Sequence, residues 1–370
     1  MPVDPKKIVR LGATSIEIHQ LGLGCAPIGG LYEPVSDETA AATLEHAWDI
    51  GIRYYDVAPL YGYGLAEQRL GRMLAGKNRD DFTVSTKVGR LLYPLAEIEA
   101  NSDLDRDWQR PGSVTGLDGQ GDKDCNDWYY RGVPDVRPVY DYSYDGVMRS
   151  FEASLQRTGL DRLDILWIHD PDNHWEQAMS GAYPALADLR NQGVVRAIGA
   201  GMNQAEMLTQ FAHEGDFDAF MLAGRYTLLD QSALHELLPL CVQKHIGIVI
   251  AGVMNSGLLA NPNPDSHFDY GPAPRQWVDK ALRLKAVCER NGVPLRAAAL
   301  QFVFAHPAVA TVVAGVRTIA HLDDTVEMMQ FPIPDDLWDD LRGEGLLPEA
   351  APTPKAAGTP EEGADSGQHA

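Results

Sequence analysis

The feature that most restricts how this chain can fold is an eightfold alternation of short, β-rich apolar runs with stretches of helical sequence. The runs are LGLGC (21–25), IRYYDVA (52–58), FTVSTKV (82–88), LDILWIH (163–169), VRAIGAG (195–201), FMLAGRY (220–226), IGIVIAG (246–252) and TVVAGV (311–316). Strands that alternate with helices predict a parallel sheet, because neighbours running the same way need a crossover between them. Several runs are continuously apolar, as in strands covered on both faces. Eight such units predict one closed (β/α)8 TIM barrel, an α/β fold for which 370 residues suffice.

Local signals agree with that rhythm. Ser36 can cap a helix with Asp37 and Glu38 in its first turn, Ala40, Leu44 and Ala47 on one face, and Gly51 at its end. Tyr144 to Thr158 repeats the logic, with Val147, Phe151 and Leu155 on one side and Gly159 at the stop. Ahead of the first strand, VRLGATSIEIHQ predicts an N-terminal β-hairpin over the barrel's N-terminal end. Residues 91 to 140 form a long loop after strand 3, and Trp108, Trp128, Tyr129 and Tyr130 favour an ordered cap there. From Leu347 the chain turns to Ala, Pro, Glu and Gly, too poor in large apolar residues to offset ordering entropy. The expected division is a barrel over 1–346 and a disordered tail over 347–370.

A net charge of −21 opposes binding to a phosphate backbone, so no nucleic-acid partner is expected. Cys25, Cys125, Cys241 and Cys288 are widely spaced and predict neither a disulfide framework nor a metal site. The N-terminus lacks the apolar core of a signal peptide, and the longest apolar run, near Ile246 to Met254, is too short to cross a bilayer. A soluble, cytoplasmic protein without a membrane partner is expected, its oligomeric state left open.

In a barrel of this kind the active site lies at the C-terminal ends of the strands. Asp56 ends the second run, Tyr61 follows in its loop, Lys87 ends the third and His169 the fourth. Residues at corresponding levels of adjacent strands come close together, since strands lie about 5 Å apart. Reduction of a carbonyl by hydride leaves negative charge on oxygen, which a proton donor must meet. Tyr61 is the candidate donor, and Lys87 the cation that would lower its pKa from about 10. Asp56 would keep the lysine ionised, and His169 would hydrogen-bond the substrate oxygen. Singly, each has a plain structural alternative: a turn cap, a packed aromatic, a solvated charge and a satisfied histidine.

The stretches GIRYYDVAPLYGYGLAEQRLG (51–71), TVSTKVGR (83–90) and LDILWIHDPD (163–172) resemble the aldo-keto reductase family in order and spacing. Its four catalytic residues map onto Asp56, Tyr61, Lys87 and His169. DYSYDGVMRSFEASLQRTGLDRLDIL, AIGAGMNQ and AGRYTLLDQ are most similar to the D-threo-aldose 1-dehydrogenase or L-fucose dehydrogenase branch, to which pyridoxal 4-dehydrogenases are related. The likeness runs from about residue 8 to 345 and excludes the tail.

That resemblance implies an NAD or NADP cofactor lying across the barrel mouth. No Rossmann fingerprint is present, since GLGCAP stops at two glycines. The residues implied to face the cofactor are Gly24, Cys25 and Asp56, then Gly201 and Asn203 after strand five. Asn255, Ser256, Gly257 and Leu258 resemble the family's pyrophosphate loop, and Gly315, Arg317 and His321 follow strand eight. Where NADP-preferring members carry a lysine and an arginine, this chain has Gly315 and His321, with Asp323 and Asp324 nearby. Arg317 could still contact a phosphate or stack on adenine. The reading leans to NAD or dual use.

The implied reaction passes hydride between nicotinamide and a sugar lactol or aldehyde, the small-molecule substrate. A pyridoxal 4-dehydrogenase-type or general aldehyde reductase activity is the alternative. Two readings of other classes compete: a cofactor-binding regulatory barrel without useful turnover, and a glycosidase built on Asp56 with Asp170 and Asp172. The intact tetrad speaks against the first, and the second does not account for Lys87 beside Tyr61.

Overall fold

The computed structural model describes residues 2–101, 103, 104 and 130–354. Its eight barrel strands are β1 (Leu21–Gly24), β2 (Tyr54–Asp56), β3 (Thr83–Val88), β4 (Ile165–His169), β5 (Ala197–Met202), β6 (Ala219–Ala223), β7 (Gly247–Ala251) and β8 (Val309–Gly315). Each pairs in parallel with the next, and β8 closes on β1. All eight apolar runs therefore became the eight staves of one barrel.

The register of the strands does not place the four polar residues level with one another. Asp56 lies opposite Ser85, and Lys87 lies opposite Trp167 rather than His169. Strands of a closed barrel tilt against its axis, so positions at one height are staggered along the chain. The polar residues converge because each sits about two positions further along than its neighbour's partner.

The helical sequences behave as their signals required. Ser36 Oγ accepts from Thr39 N at the head of α1 (Asp37–Asp49), whose Ala40, Leu44 and Ala47 are buried. Ser143 Oγ does the same from Gly146 N for the helix Tyr144–Thr158, which stops at Gly159 with φ +66°. Their apolar faces pack on the outside of the barrel in one continuous core.

Inside the barrel a separate cluster fills the N-terminal half. Tyr54, Ile165, Trp167, Met221 and Val249 meet Leu11, Ile16 and Ile18 from the hairpin formed by Ile8–Arg10 and Glu17–His19. The expected hairpin thus plugs the floor. Gly199 is required here: a Cβ on it would lie 2.0 Å from Ala219 O and 2.5 Å from the Trp167 ring.

Two regions carry more structure than local patterns announce. The long connection after β3 contains an antiparallel ribbon, Arg90–Pro94 with Val136–Tyr140, and a short helix, Leu95–Ala100, directly after the ribbon's first strand. Trp108, Trp128 and Tyr129 lie outside the described residues, whereas Tyr130 is buried and bridges Leu31. Ordered packing also continues past residue 346. Leu347 and Ala351 are buried, and Arg342 donates to Ala351 O and Thr353 Oγ1, so two apolar side chains and one guanidinium hold the chain down as far as 354. Among the described residues no helix is long and apolar enough to cross a membrane.

Candidate functional site

A cavity of about 470 Å³ opens at the C-terminal mouth, and Asp56, Tyr61, Lys87 and His169 all line it. Lys87 Nζ donates to Asp56 Oδ2 at 2.6 Å and to Val57 O at 3.0 Å, with both side chains almost wholly buried. Ser85 Oγ donates to the other carboxylate oxygen at 2.7 Å. Burial pushes the Asp56 carboxyl above its ordinary range, and the Lys87 ammonium opposes that push.

Tyr61 stands in the turn that follows β2. Its loop lies backbone to backbone against Gly29, where a Cβ would sit 2.7 Å from Tyr61 C; Gly62, at φ +63°, would meet Gly29 O at 2.3 Å. Two glycines thus fix where the phenol emerges. The Lys87 ammonium is 4.5 Å from the centre of the Tyr61 ring, and the His169 ring meets that ring edge-on with centroids 6.0 Å apart.

The electrostatics depart from expectation at one point. Lys87 was expected to lower the Tyr61 pKa, yet the phenol is held well above 10, first by burial, then by the charges of Asp56, Tyr130, Tyr270 and Asp170. The ammonium is bound to the Asp56 carboxylate. Tyr61 is accordingly a fully protonated acid near neutrality. His169 is driven well below 6.5 by burial and by the nearby Arg90 and Lys87 cations, leaving a neutral imidazole.

Of the residues implied to face a cofactor, Gly24, Asp56, Gly201, Asn203, Ser256, Gly257, Gly315, Arg317 and His321 line the cavity. Cys25 and Leu258 do not. Both are fully buried in the outer core, because their side chains point from the strand and loop toward the helices. Asn255 lies just behind the lining, its Nδ2 donating to Gly224 O.

The mouth nonetheless suits a dinucleotide. Asn255 Oδ1 and Arg317 Nε are buried without a partner, and Gly257 faces open space. Asn255, Ser256 and Gly257 all adopt left-handed backbone, which turns the loop sharply beside the cavity. Arg317 donates to Leu31 O and lies 3.2 Å from the Glu33 carboxylate. Asp323 and Asp324 face outward, paired with His46 and Arg296.

Arg90 and Tyr270, which the sequence did not single out, also line the cavity, as does Asp170, which it offered only as a glycosidase carboxylate. Arg90 donates to His169 O at 2.9 Å, and Asp170 Oδ2 lies 3.3 Å from His169 Nε2. Both had a signal, since each stands beside a strand-end candidate. Tyr270 had none, being brought in by a small hairpin, His267–Phe268 with Gly271–Pro272.

Residues 20–343 match the Aldo/keto reductase family. The chain is 43% identical to a D-threo-aldose 1-dehydrogenase from a Pseudomonas species, over 91% of this chain and 97% of that protein. It is 40% identical to a pyridoxal 4-dehydrogenase from Microbacterium luteolum, again over 91% and 97%. Among solved structures, the holo form of an aldo-keto reductase from Bacillus halodurans superposes with a TM-score of 0.68 at 21% identity, covering 91% of this chain and 96% of that one. A glycerol dehydrogenase from Gluconobacter oxydans gives 0.66 at 19% identity, covering 96% and 99%.

Proposed function

The chain belongs to the aldo/keto reductase family and is an oxidoreductase of the NAD(P)-dependent kind; from that premise we propose that it oxidises the anomeric carbon of free aldoses, with Tyr61 exchanging the proton. The carrying observation is the convergence of Tyr61, His169 and the Lys87–Asp56 pair on one wall of a single cavity. The relative at 43% identity, a D-threo-aldose 1-dehydrogenase, supplies the substrate class.

A bound nicotinamide dinucleotide supplies the hydride in reduction and accepts it in oxidation. The chain's own residues handle the oxygen. In reduction Tyr61 gives its proton to the carbonyl oxygen as negative charge develops there, and in oxidation its phenolate takes the hydroxyl proton. Neutral His169 hydrogen-bonds the same oxygen and fixes its position. Lys87, anchored by Asp56 and Val57 O, keeps a cation 4.5 Å from the phenol ring centre, where it stabilises the phenolate once formed.

Gly201 and Asn203 after β5, Ser256 and Gly257 after β7, and Gly315, Arg317 and His321 after β8 would hold the dinucleotide, with Asn255 setting its loop from behind. NAD is the favoured form. Glu33 sits against Arg317 and would repel the extra phosphate of NADP, while among the described residues no lysine follows β8 to attract it. A cytoplasmic location belongs to the same proposal, the described cysteines Cys25, Cys241 and Cys288 being free thiols.

The test is an absorbance screen at the reduced-nicotinamide band, with NAD and NADP separately, against L-fucose, D-arabinose, L-galactose, pyridoxal and simple aldehydes. NAD-linked oxidation of one of the aldoses is the expected result. Turnover of pyridoxal or simple aldehydes alone would replace the sugar reading with that substrate class.

A further inference from the structure

Ser85 and Lys87 lie two apart on β3 and therefore share a face. Each reaches a different oxygen of Asp56 on the neighbouring strand: Ser85 Oγ donates to Oδ1 at 2.7 Å, and Lys87 Nζ donates to Oδ2 at 2.6 Å. The register allows this, because Asp56 lies directly opposite Ser85. A carboxylate held at both oxygens has its plane fixed, whereas the lysine alone would leave it a single contact to pivot on.

A third group stands behind the serine. The Tyr54 ring belongs to the floor cluster, but its Oη reaches to 3.0 Å from Ser85 Oγ. A serine hydroxyl has one hydrogen. With that hydrogen given to Asp56, the tyrosine must be the donor of the other bond, so the chain runs one way, from Tyr54 to Ser85 to the carboxylate. All of these side chains are buried, and in such surroundings successive hydrogen bonds strengthen one another. Gly22 on β1 leaves room for the arrangement, since a Cβ there would lie 2.5 Å from Tyr54 Cδ1. Neither Ser85 nor Tyr54 lines the cavity.

We propose that Ser85 is a positioning residue, oriented by Tyr54, that fixes the Asp56 carboxylate where it anchors Lys87 beside Tyr61. The proposal rests on the proton role of Tyr61. Burial pushes the Asp56 carboxyl up, and the Ser85 donor opposes that push; the Trp167 indole, which meets no acceptor in hydrogen-bonding geometry, adds less. Without Ser85 the carboxylate takes its proton at a higher pH. Lys87 then keeps only Val57 O and loses its fixed place near the phenol. The other titratable groups facing the pair are Cys25 after β1, Tyr54 on β2, Tyr61 after it and His169 on β4. Burial favours the neutral form of all four.

The experiment records kcat against pH in the wild type, Ser85→Ala, Ser85→Thr and Tyr54→Phe. The reaction is NAD-linked oxidation of L-fucose, or NADH-linked reduction of butanal if no aldose is oxidised. In Ser85→Ala the acid limb should move up by about one pH unit, the size of one hydrogen bond to a charged group, while KM stays within about twofold. Ser85→Thr keeps the hydroxyl and should hold the limb at its wild-type position. Equal loss of kcat at every pH would make Ser85 a packing residue and overturn the proposal, as would an unmoved limb or one that moves as far in Ser85→Thr. If Ser85→Ala does not fold, Tyr54→Phe decides: a raised limb upholds the proposal and an unmoved one overturns it. Tyr61→Phe separates the two readings. Full turnover in Tyr61→Phe removes the proton role and this proposal together, whereas an inactive Tyr61→Phe with an unmoved limb in Ser85→Ala removes only this one.

Discussion

The two ends of the barrel are built from the same strands and do opposite things. On β2, Tyr54 belongs to the floor and Asp56 to the mouth; on β4, Trp167 and His169 divide in the same way. Residues two apart on a strand share a face, so one inward-facing row changes from apolar to polar within a single step. At the floor the hairpin residues Leu11, Ile16 and Ile18 exclude water and only packing is at stake. At the mouth none of the described residues plugs the row, and a buried ion pair, a protonated phenol and a neutral imidazole surround a cavity. The contrast teaches where stability and chemistry reside.

Tyr61→Phe should sharpen that contrast most. It removes one proton donor and little volume, so kcat should fall by about 10²- to 10⁴-fold while the melting temperature and cofactor affinity stay close to wild type. A kcat within twofold of wild type would refute the proton role.

Lys87→Met tests whether the mouth is free of structural duty. Removing one partner of a buried pair leaves Asp56 uncompensated at a cost of about 3–5 kcal/mol. Urea unfolding should register that loss alongside impaired turnover, making this the position where the division between the ends blurs.

Leu11→Ala is the converse probe. A fully buried leucine truncated in the floor should cost about 2–5 kcal/mol of stability with kcat nearly unchanged. A large fall in kcat at temperatures where the variant is folded would mean that floor and mouth are coupled.

Smaller effects follow from titration. His169 binds its proton less readily in the folded chain than in the unfolded one. Its contribution to stability is therefore present above the unfolded pKa of about 6.5 and is lost as pH falls below it. His19 and His306 are shifted the same way, chiefly by burial. The urea midpoint should be lower at pH 5.5 than at 7.5, and His169→Gln should reduce that difference.

Glu33→Gln should have the least effect. It withdraws an exposed carboxylate from Arg317, so the KM for NADP should drop by about two- to fivefold while that for NAD barely changes.

Much of this was legible in the chain. Lys87 and His169 stand out because a polar residue that ends an apolar strand needs a reason, and the eight runs give those ends a common location. Arg90 and Asp170 were readable only as neighbours of those residues, since their orientation depends on a left-handed backbone and a ribbon that no local pattern announces. Tyr270 was out of reach, and so was the burial of the Cys25 and Leu258 side chains in the outer core, because the tertiary course of the chain decides which way a side chain turns.

Apolar periodicity, caps and stop glycines by themselves determined the barrel, its hairpin plug and the identity of the four polar residues at its mouth, because those signals act between residues close in sequence. Stagger, burial and charge pairing were decided by the closed tertiary structure. Strand tilt sets Lys87 against Asp56, and burial first, with the Asp56 charge behind it, holds the Tyr61 phenol protonated where the residue types alone suggested a lowered pKa.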